Sequence, residues 1–413
     1  MNPLTSTDVL RPGPRGIKRW LGQMVFSAMP YAFAFLRRWK PVARVGGMVL
    51  TSRHDDVREV FLNDALFGVT YGPKLDVIMG GEPFFLGMGN TPQYRHDVAA
   101  LRKVVLPGDL PALAARVERR AGEVVQASGG RIDVVDTLVR QVTFEVLSDY
   151  LGVPWPAGGD LRVWATRLFE FQFADQGNDP ALRAEVEVIA PALRAHIDAQ
   201  IALRKVAPGK DDVLSRALAM QAAGESGFGD VEIRTALMGM IVGGPPQPPM
   251  VVPQAMEQLL RRPQALAGAQ AAALAGDDAL LRAYVLEGMR FDPLAPGLPR
   301  VALADGVIAR GTAHEARVKA GETVLAAFAS AMMDPRRVAD PRQFDVRRPP
   351  SDYIHFGYGL HQCFGLHINL ATLHLMLKPL LCQPGLRRAA GRAGRLRKNG
   401  AFAERLVVAF DRS

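Results

Sequence analysis

Cysteine is nearly absent: the 413 residues hold only Cys363 and Cys382. Two cysteines cannot make a disulfide framework, which fits a reducing compartment or cysteine kept for chemistry. Charge is not concentrated in a tail. The net charge of +9 is spread along the chain, so a nucleic-acid-binding role is set aside in favour of a basic face for an acidic partner. No low-complexity tract, internal repeat or obvious linker is visible. The first residues lack the charged-then-apolar order of a cleavable signal peptide. The longest apolar stretch, WLGQMVFSAMPYAFAF (20–35), falls short of the roughly 20 apolar residues that cross a bilayer. It reads as a packed or surface-lying helix with at most peripheral membrane contact. A cytoplasmic monomer is the resulting expectation.

What is present is 48 % hydrophobic residues and moderate charge, the composition of a packed globular chain. ARVGGMVLTS (43–52) reads as a hairpin and DDVREVFLN (55–63) as a helix, so a β-richer part covers about 40–90. A helical core covers about 95–292, including 111–128, 135–152, 181–205 and 279–291. A β-like stretch from Leu298, an irregular loop at 334–352, an apolar helix at 368–381 and a basic β-like end follow. The economical reading is one mainly α domain over residues 1–413 with small sheets.

One segment breaks the helical pattern. GGPPQPP (243–249) lies between VEIRTALMGMIV (231–242) and MVVPQAMEQLLRR (250–262). Proline in a helix interior removes a hydrogen bond and costs about 3 kcal/mol. Four here predict a pronounced break, with the carbonyls of Ile241, Val242, Gly244 and Pro245 deprived of helical partners.

The second segment is YIHFGYGLHQCFGLHINLATLHLML (353–377). Cys363 stands just before an apolar helix, where backbone N–H groups favour thiolate, among Gly357, Gly359 and Gly365, which allow a flat partner to approach. A nucleophile, a metal or haem ligand, and a buried structural cysteine are all compatible readings. A zinc site from His361, Cys363 and His367 lacks a fourth ligand.

The run from Phe356 to Gly365 closely resembles the haem-ligand signature of the cytochrome P450 family, F-x-x-G-x-x-x-C-x-G, with Phe356, Gly359, Cys363 and Gly365 at the defining positions. Upstream, Glu287-Gly288-Met289-Arg290 is similar to the family's E-x-x-R, which implies an ion-pair network steadying the cysteine loop. Its third member falls near Gln343, with Arg342, Arg347 or Arg348 as substitutes. The resemblance implies haem b (iron protoporphyrin IX) on Cys363, packed by Phe356, Gly357 and Gly365. His361 and Arg300 are implied as propionate partners, and Tyr94, His96, Arg95 and Arg102 as candidates for the family's earlier basic pair. It also aligns GGPPQPP with the A/G-G-x-acid-Thr of the oxygen-activating helix: Gly243 and Gly244 match, Pro246 replaces the acid and Gln247 the threonine. Proline has no titratable group, and the Gln amide does not titrate near neutral pH.

Three functions follow. The first is a haem-thiolate enzyme using peroxide or an organic hydroperoxide, as peroxygenase, isomerase or lyase, on a small hydrophobic substrate. The second is an O2-dependent monooxygenase supplied by a ferredoxin or flavoprotein. The third is a non-catalytic haem or ligand-binding protein. By analogy the pocket walls are 80–90, the central helix, Pro293–Leu298 and Ala401–Phe402, with Phe84, Phe85 and Phe402 as candidate aromatics.

Overall fold

Pro248–Leu260 is the innermost helix of a computed structural model that describes residues 2–13, 16–207 and 209–411. Every residue from Pro248 to Leu259 is buried, including Gln254, Gln258 and Glu257, whose carboxylate is paired with Arg261 and Arg388. It packs against Asp278–Phe291 and against the π-helical Val134–Arg140. Gly288 permits the first contact: a Cβ there would meet Ala255 Cα at 3.0 Å. A second pair, Leu366–Leu381 against Leu110–Ala127, closes the core beneath the cysteine loop. The segment 135–152, expected as one helix, is π-helical to Arg140 and α-helical from Gln141.

The β-rich part is a five-stranded sheet in the order Val42–Val45, Met48–Thr51, Thr323–Ala326, Leu298–Ala302, Phe67–Val69. Its register pairs Arg300 with Val324 on one side and Val69 on the other, which fixes Arg300 in mid-sheet. The β-like stretch from Leu298 is interrupted by a short helix, Phe328–Ala331. The C-terminal hairpin Arg397–Asn399/Phe402–Arg405 presents its tip, Gly400-Ala401, to the cavity described below.

The expected N-terminal helix runs from Gly16 to Trp39. Among the described residues, no helix is long and apolar enough to cross a membrane. The side chains of 16, 18–21, 23 and 26 lie outside the described set.

GGPPQPP separates two helices, Asp230–Gly243 and Pro248–Leu260. Pro248 and Pro249 open the second helix, where their missing N–H groups would have had no helical partner anyway. Pro245 and Pro246 form the turn between. One expectation is corrected: the Gly244 carbonyl is not left alone, because the Gln247 N–H turns back to it at 3.2 Å. The Gly243 carbonyl instead accepts from the Gln247 side-chain Nε2. Gln247 therefore closes the broken turn with both its main-chain and its side-chain amide.

Candidate active site

The cysteine loop is shaped by two left-handed glycines, Gly357 (φ +66°) and Gly359 (φ +72°). At Gly359 a side chain has no room, since its Cβ would lie 2.7 Å from the Phe61 carbonyl. The Cys363 N–H donates to the Phe356 carbonyl at 2.9 Å, and the helix starts three residues later at Leu366. Burial pushes the Cys363 thiol above its ordinary pKa, and the Gly365 N–H directed at it works the other way.

Cys363 lines a cavity of about 850 Å³. Phe356, Gly357, His361, Phe364 and Gly365 share its wall with the cysteine. The central helices contribute Gly239, Met240, Gly243, Gly244, Gln247 and Pro248. Phe84, Phe85 and Phe402 are also wall residues, and Phe84 packs so tightly over Gly239 that a Cβ there would sit 2.1 Å from its ring. Pro246 is buried but is not a lining residue, because it faces out of the turn while Gln247 and Pro248 face in.

The loop is steadied from behind. Glu287 and Arg290, both fully buried, form a two-pronged pair with both N···O distances at 2.8 Å. The Arg348 Nε donates to the same carboxylate at 3.1 Å, the Asp345 N–H at 3.0 Å and the Tyr353 hydroxyl at 3.2 Å. Of the three arginines weighed from sequence, Arg348 is the one that reaches Glu287. Gln343 serves through its carbonyl, which accepts from Arg290 and Arg348. Burial alone would push the Glu287 carboxyl up. The Arg290 guanidinium, with Asp345 and Arg348, outweighs it and holds the pKa below its ordinary value.

At the cavity edge stand two basic groups that form no ion pair among the described residues. Arg300 is 3 % exposed, and its guanidinium donates to the Pro299 carbonyl at 3.0 Å and lies over the Phe61 ring. The His361 Nδ1 is buried with no hydrogen-bond partner. Burial, reinforced by the neighbouring Arg300 cation, pushes His361 down to about 4. A buried cation without a counter-charge is costly, so Arg300, with the unsatisfied His361 Nδ1 beside it, fits an anionic group placed in the cavity.

Of the earlier candidates, Tyr94 touches this pair. Tyr94 is half-buried, its ring edge-on to His361 and its hydroxyl donating to the Leu360 carbonyl. Arg102 and His96 stand on the exposed face of Pro92–Val104, whose inner face is Val98, Leu101 and Val104. His96 lies against the Gly227 turn, and Arg95 is exposed and bonded to Asn90. Three residues that sequence reasoning missed also line the cavity: Tyr71, Arg11 and Glu170. Burial pushes the Tyr71 hydroxyl up to about 12 despite the nearby Arg300. Glu170 opens a π-helical turn, Glu170–Ala174, of a kind frequent at functional sites.

The family model for cytochrome P450 matches residues 194–383, which include the E-x-x-R helix and the whole cysteine loop. Over that span the chain matches the cytochrome P450 family. Among P450 relatives, it is 27 % identical over 272 residues to the cytochrome P450 monooxygenase PikC of Streptomyces venezuelae, covering 66 % of this chain and 61 % of PikC. It is 39 % identical over 121 residues to Psi-producing oxygenase A of Emericella nidulans, covering 29 % of this chain and 11 % of that protein. In both cases the match spans less than two thirds of the relative. The ligand-free P450 TbtJ1 has the same fold, with a TM-score of 0.78 at 23 % identity, over 93 % of this chain and 98 % of that one.

Members of this family carry a haem iron, and the donor set here fits one. A soft thiol lies at one wall of the cavity, glycines leave the cysteine side open, and the unpaired Arg300 and His361 suit anionic substituents. Among the described residues, no group of three or more His, Cys, Asp or Glu could hold a bare metal ion, which removes the zinc reading.

Proposed function

We propose that this P450 enzyme acts on a largely hydrophobic organic substrate and takes its oxygen from a preformed peroxide or organic hydroperoxide. The observation that carries this is the chemistry of the central-helix wall. From Gly239 to Val251 it presents Gly, Met, Gln, Pro and Val to the cavity, with no carboxylic acid and no hydroxyl. Delivering protons to bound oxygen needs a group that can lose and regain one, and an amide cannot. The Gln247 Nε2 is moreover engaged by the Gly243 carbonyl, which leaves the Oε1, an acceptor, for substrate.

In this reading Cys363 Sγ holds the iron of haem b, and Arg300 and His361 hold its propionates. The bound haem-thiolate supplies electron push toward an O–O bond. The residues do the rest. Phe84, Phe85, Met240 and Phe402 bury the apolar chain and exclude water. Gln247 Oε1 accepts from the hydroperoxide O–H and orients it. A hydroperoxide already carries its two reducing equivalents, so rearrangement to an isomer needs neither electrons nor a proton relay. Transfer of one oxygen atom breaks the O–O bond, and the hydroperoxide's own proton passes to the departing alkoxide oxygen, leaving an alcohol and an oxygenated product. Relatives named bifunctional dioxygenase–epoxy alcohol synthase, 36 % identical over 121 residues, support the hydroperoxide class.

A second reading is an O2-dependent monooxygenase fed by a ferredoxin or flavoprotein, supported by the likeness to the monooxygenase PikC. Its relay would come from water or substrate, and the net charge of +9 would suit an acidic donor. The test uses haem-loaded protein in two arms. One holds hydrogen peroxide or a fatty-acid hydroperoxide without reductant. The other holds O2, reduced pyridine nucleotide and surrogate ferredoxins. Turnover confined to the first supports the proposal, and well-coupled product in the second replaces it with the monooxygenase.

A further inference from the structure

The helix Gly16–Trp39 has two apolar faces, and among the described residues only one of them is packed. Phe33, with Met29 and Leu36, packs on Leu50 and Ala327, and the buried Arg37 donates to the Ser330 carbonyl at 3.1 Å and hydroxyl at 2.8 Å. On the opposite side, Met24, Ala28, Tyr31, Phe35 and Trp39 recur at steps of three and four, which places them in one stripe, with Ile17 seven residues before Met24. Exposure along it is 76 % for Ile17, 51 % for Met24, 79 % for Tyr31, 62 % for Phe35 and 68 % for Trp39.

We infer that this stripe docks on an anionic lipid surface. The first argument is charge. Between Asp8 and Asp55 the sequence holds nine Lys or Arg and no acidic residue; Arg11 and Arg44 are ion-paired elsewhere in the fold and Arg37 is buried, so the charge available to a surface lies nearer the stripe itself. Arg38 and Lys40 are exposed on either side of Trp39, and the Arg38 guanidinium lies 4.6 Å from its ring centre. Aromatic rings beside basic groups suit a headgroup interface. The second argument is area. At about 150–250 Å² per large aromatic side chain, the stripe offers roughly 600 Å², short of the ~800 Å² per partner of a stable dimer. The third is placement. The chain passes from Trp39 into the hairpin whose tip, Gly46–Met48, lines the cavity, and Val45 and Met48 there are exposed. Docked this way, the cavity opens beside the phase in which apolar substrates dissolve.

The experiment is co-sedimentation of the haem-loaded protein with vesicles of phosphatidylcholine alone and of phosphatidylcholine with phosphatidylglycerol. The wild type should bind the anionic vesicles, less strongly as salt rises. The double variant Phe35→Glu/Trp39→Glu should bind at least tenfold less, and Leu203→Glu, exposed on another helix, should bind as wild type. Unchanged haem content and circular dichroism show that the variants fold. No binding of the wild type to either vesicle, or equal binding of the double variant, overturns the inference. A wild-type dimer in sedimentation velocity that the double variant splits also overturns it, assigning the stripe to a second copy.

Discussion

Replacing Glu287 with Gln keeps the shape of the side chain and removes its charge. The structure then leaves Arg290, fully buried, without its carboxylate partner, and Arg348, whose side chain is 3 % exposed, with Asp352 alone at 3.9 Å. Breaking a buried ion pair by removing one partner costs about 3–5 kcal/mol, against a total stability of roughly 5–15 kcal/mol. An unfolding entropy of about 2.1 cal/mol/K per residue over 413 residues converts this to a fall in Tm of about 3–6 °C. The pH dependence has a definite sign. The folded pKa of Glu287 lies below its ordinary 4.5, so its stabilisation is complete above that value and is lost as pH falls through the folded pKa. Wild type should therefore lose stability on the acid side more steeply than Glu287→Gln. Thermal unfolding followed by circular dichroism across pH 3–7, roughly the carboxylate range, measures both effects. A Tm within about 1 °C of wild type, with parallel acid limbs, would refute the reasoning that this network steadies the cysteine loop.

Three further outcomes are expected. Arg300→Gln and His361→Gln should each speed loss of haem to an acceptor apoprotein about 10–100-fold, since a hydrogen bond to a charged group is worth about 1.5–3 kcal/mol; unchanged transfer would remove them as propionate partners. Gly239→Ala should drive Phe84 from its seat into the cavity, weakening binding of a bulky apolar ligand about tenfold by an overpacking cost of roughly 1–3 kcal/mol; spectral titration at constant haem content measures it. Gln247→Thr should not restore O2-driven turnover, because a hydroxyl alone replaces neither the acid nor the helix that Pro245 and Pro246 interrupt; a several-fold rise in coupled product would count against the account.

The architecture was largely legible because its signals are local. The cysteine loop is a run of ten residues with glycines where the backbone needs them, and E-x-x-R sits one turn apart on a helix. The helix break was legible because proline acts on its own backbone. Its repair was not: nothing in the sequence says that the Gln247 side chain turns back to the Gly243 carbonyl. Arg348 could be offered only as one of three arginines, since its choice depends on how the 334–352 loop folds over Glu287. Arg11 and Glu170 were invisible for a plainer reason. They meet at the cavity mouth across 159 residues of chain, and only the fold brings them there. Arg102 and His96 were offered as stand-ins for the family's earlier basic pair, and both are exposed on their helix.

The central claim is that the product's oxygen comes from a hydroperoxide and not from O2. The most direct measurement supplies the haem-loaded enzyme with heavy-oxygen-labelled fatty-acid hydroperoxide under ordinary air, and the converse pair, and reads the label in the product by mass spectrometry. The account predicts that the product carries the hydroperoxide's oxygen and forms equally well under argon. Label entering only from O2, with a requirement for an electron donor, would contradict it.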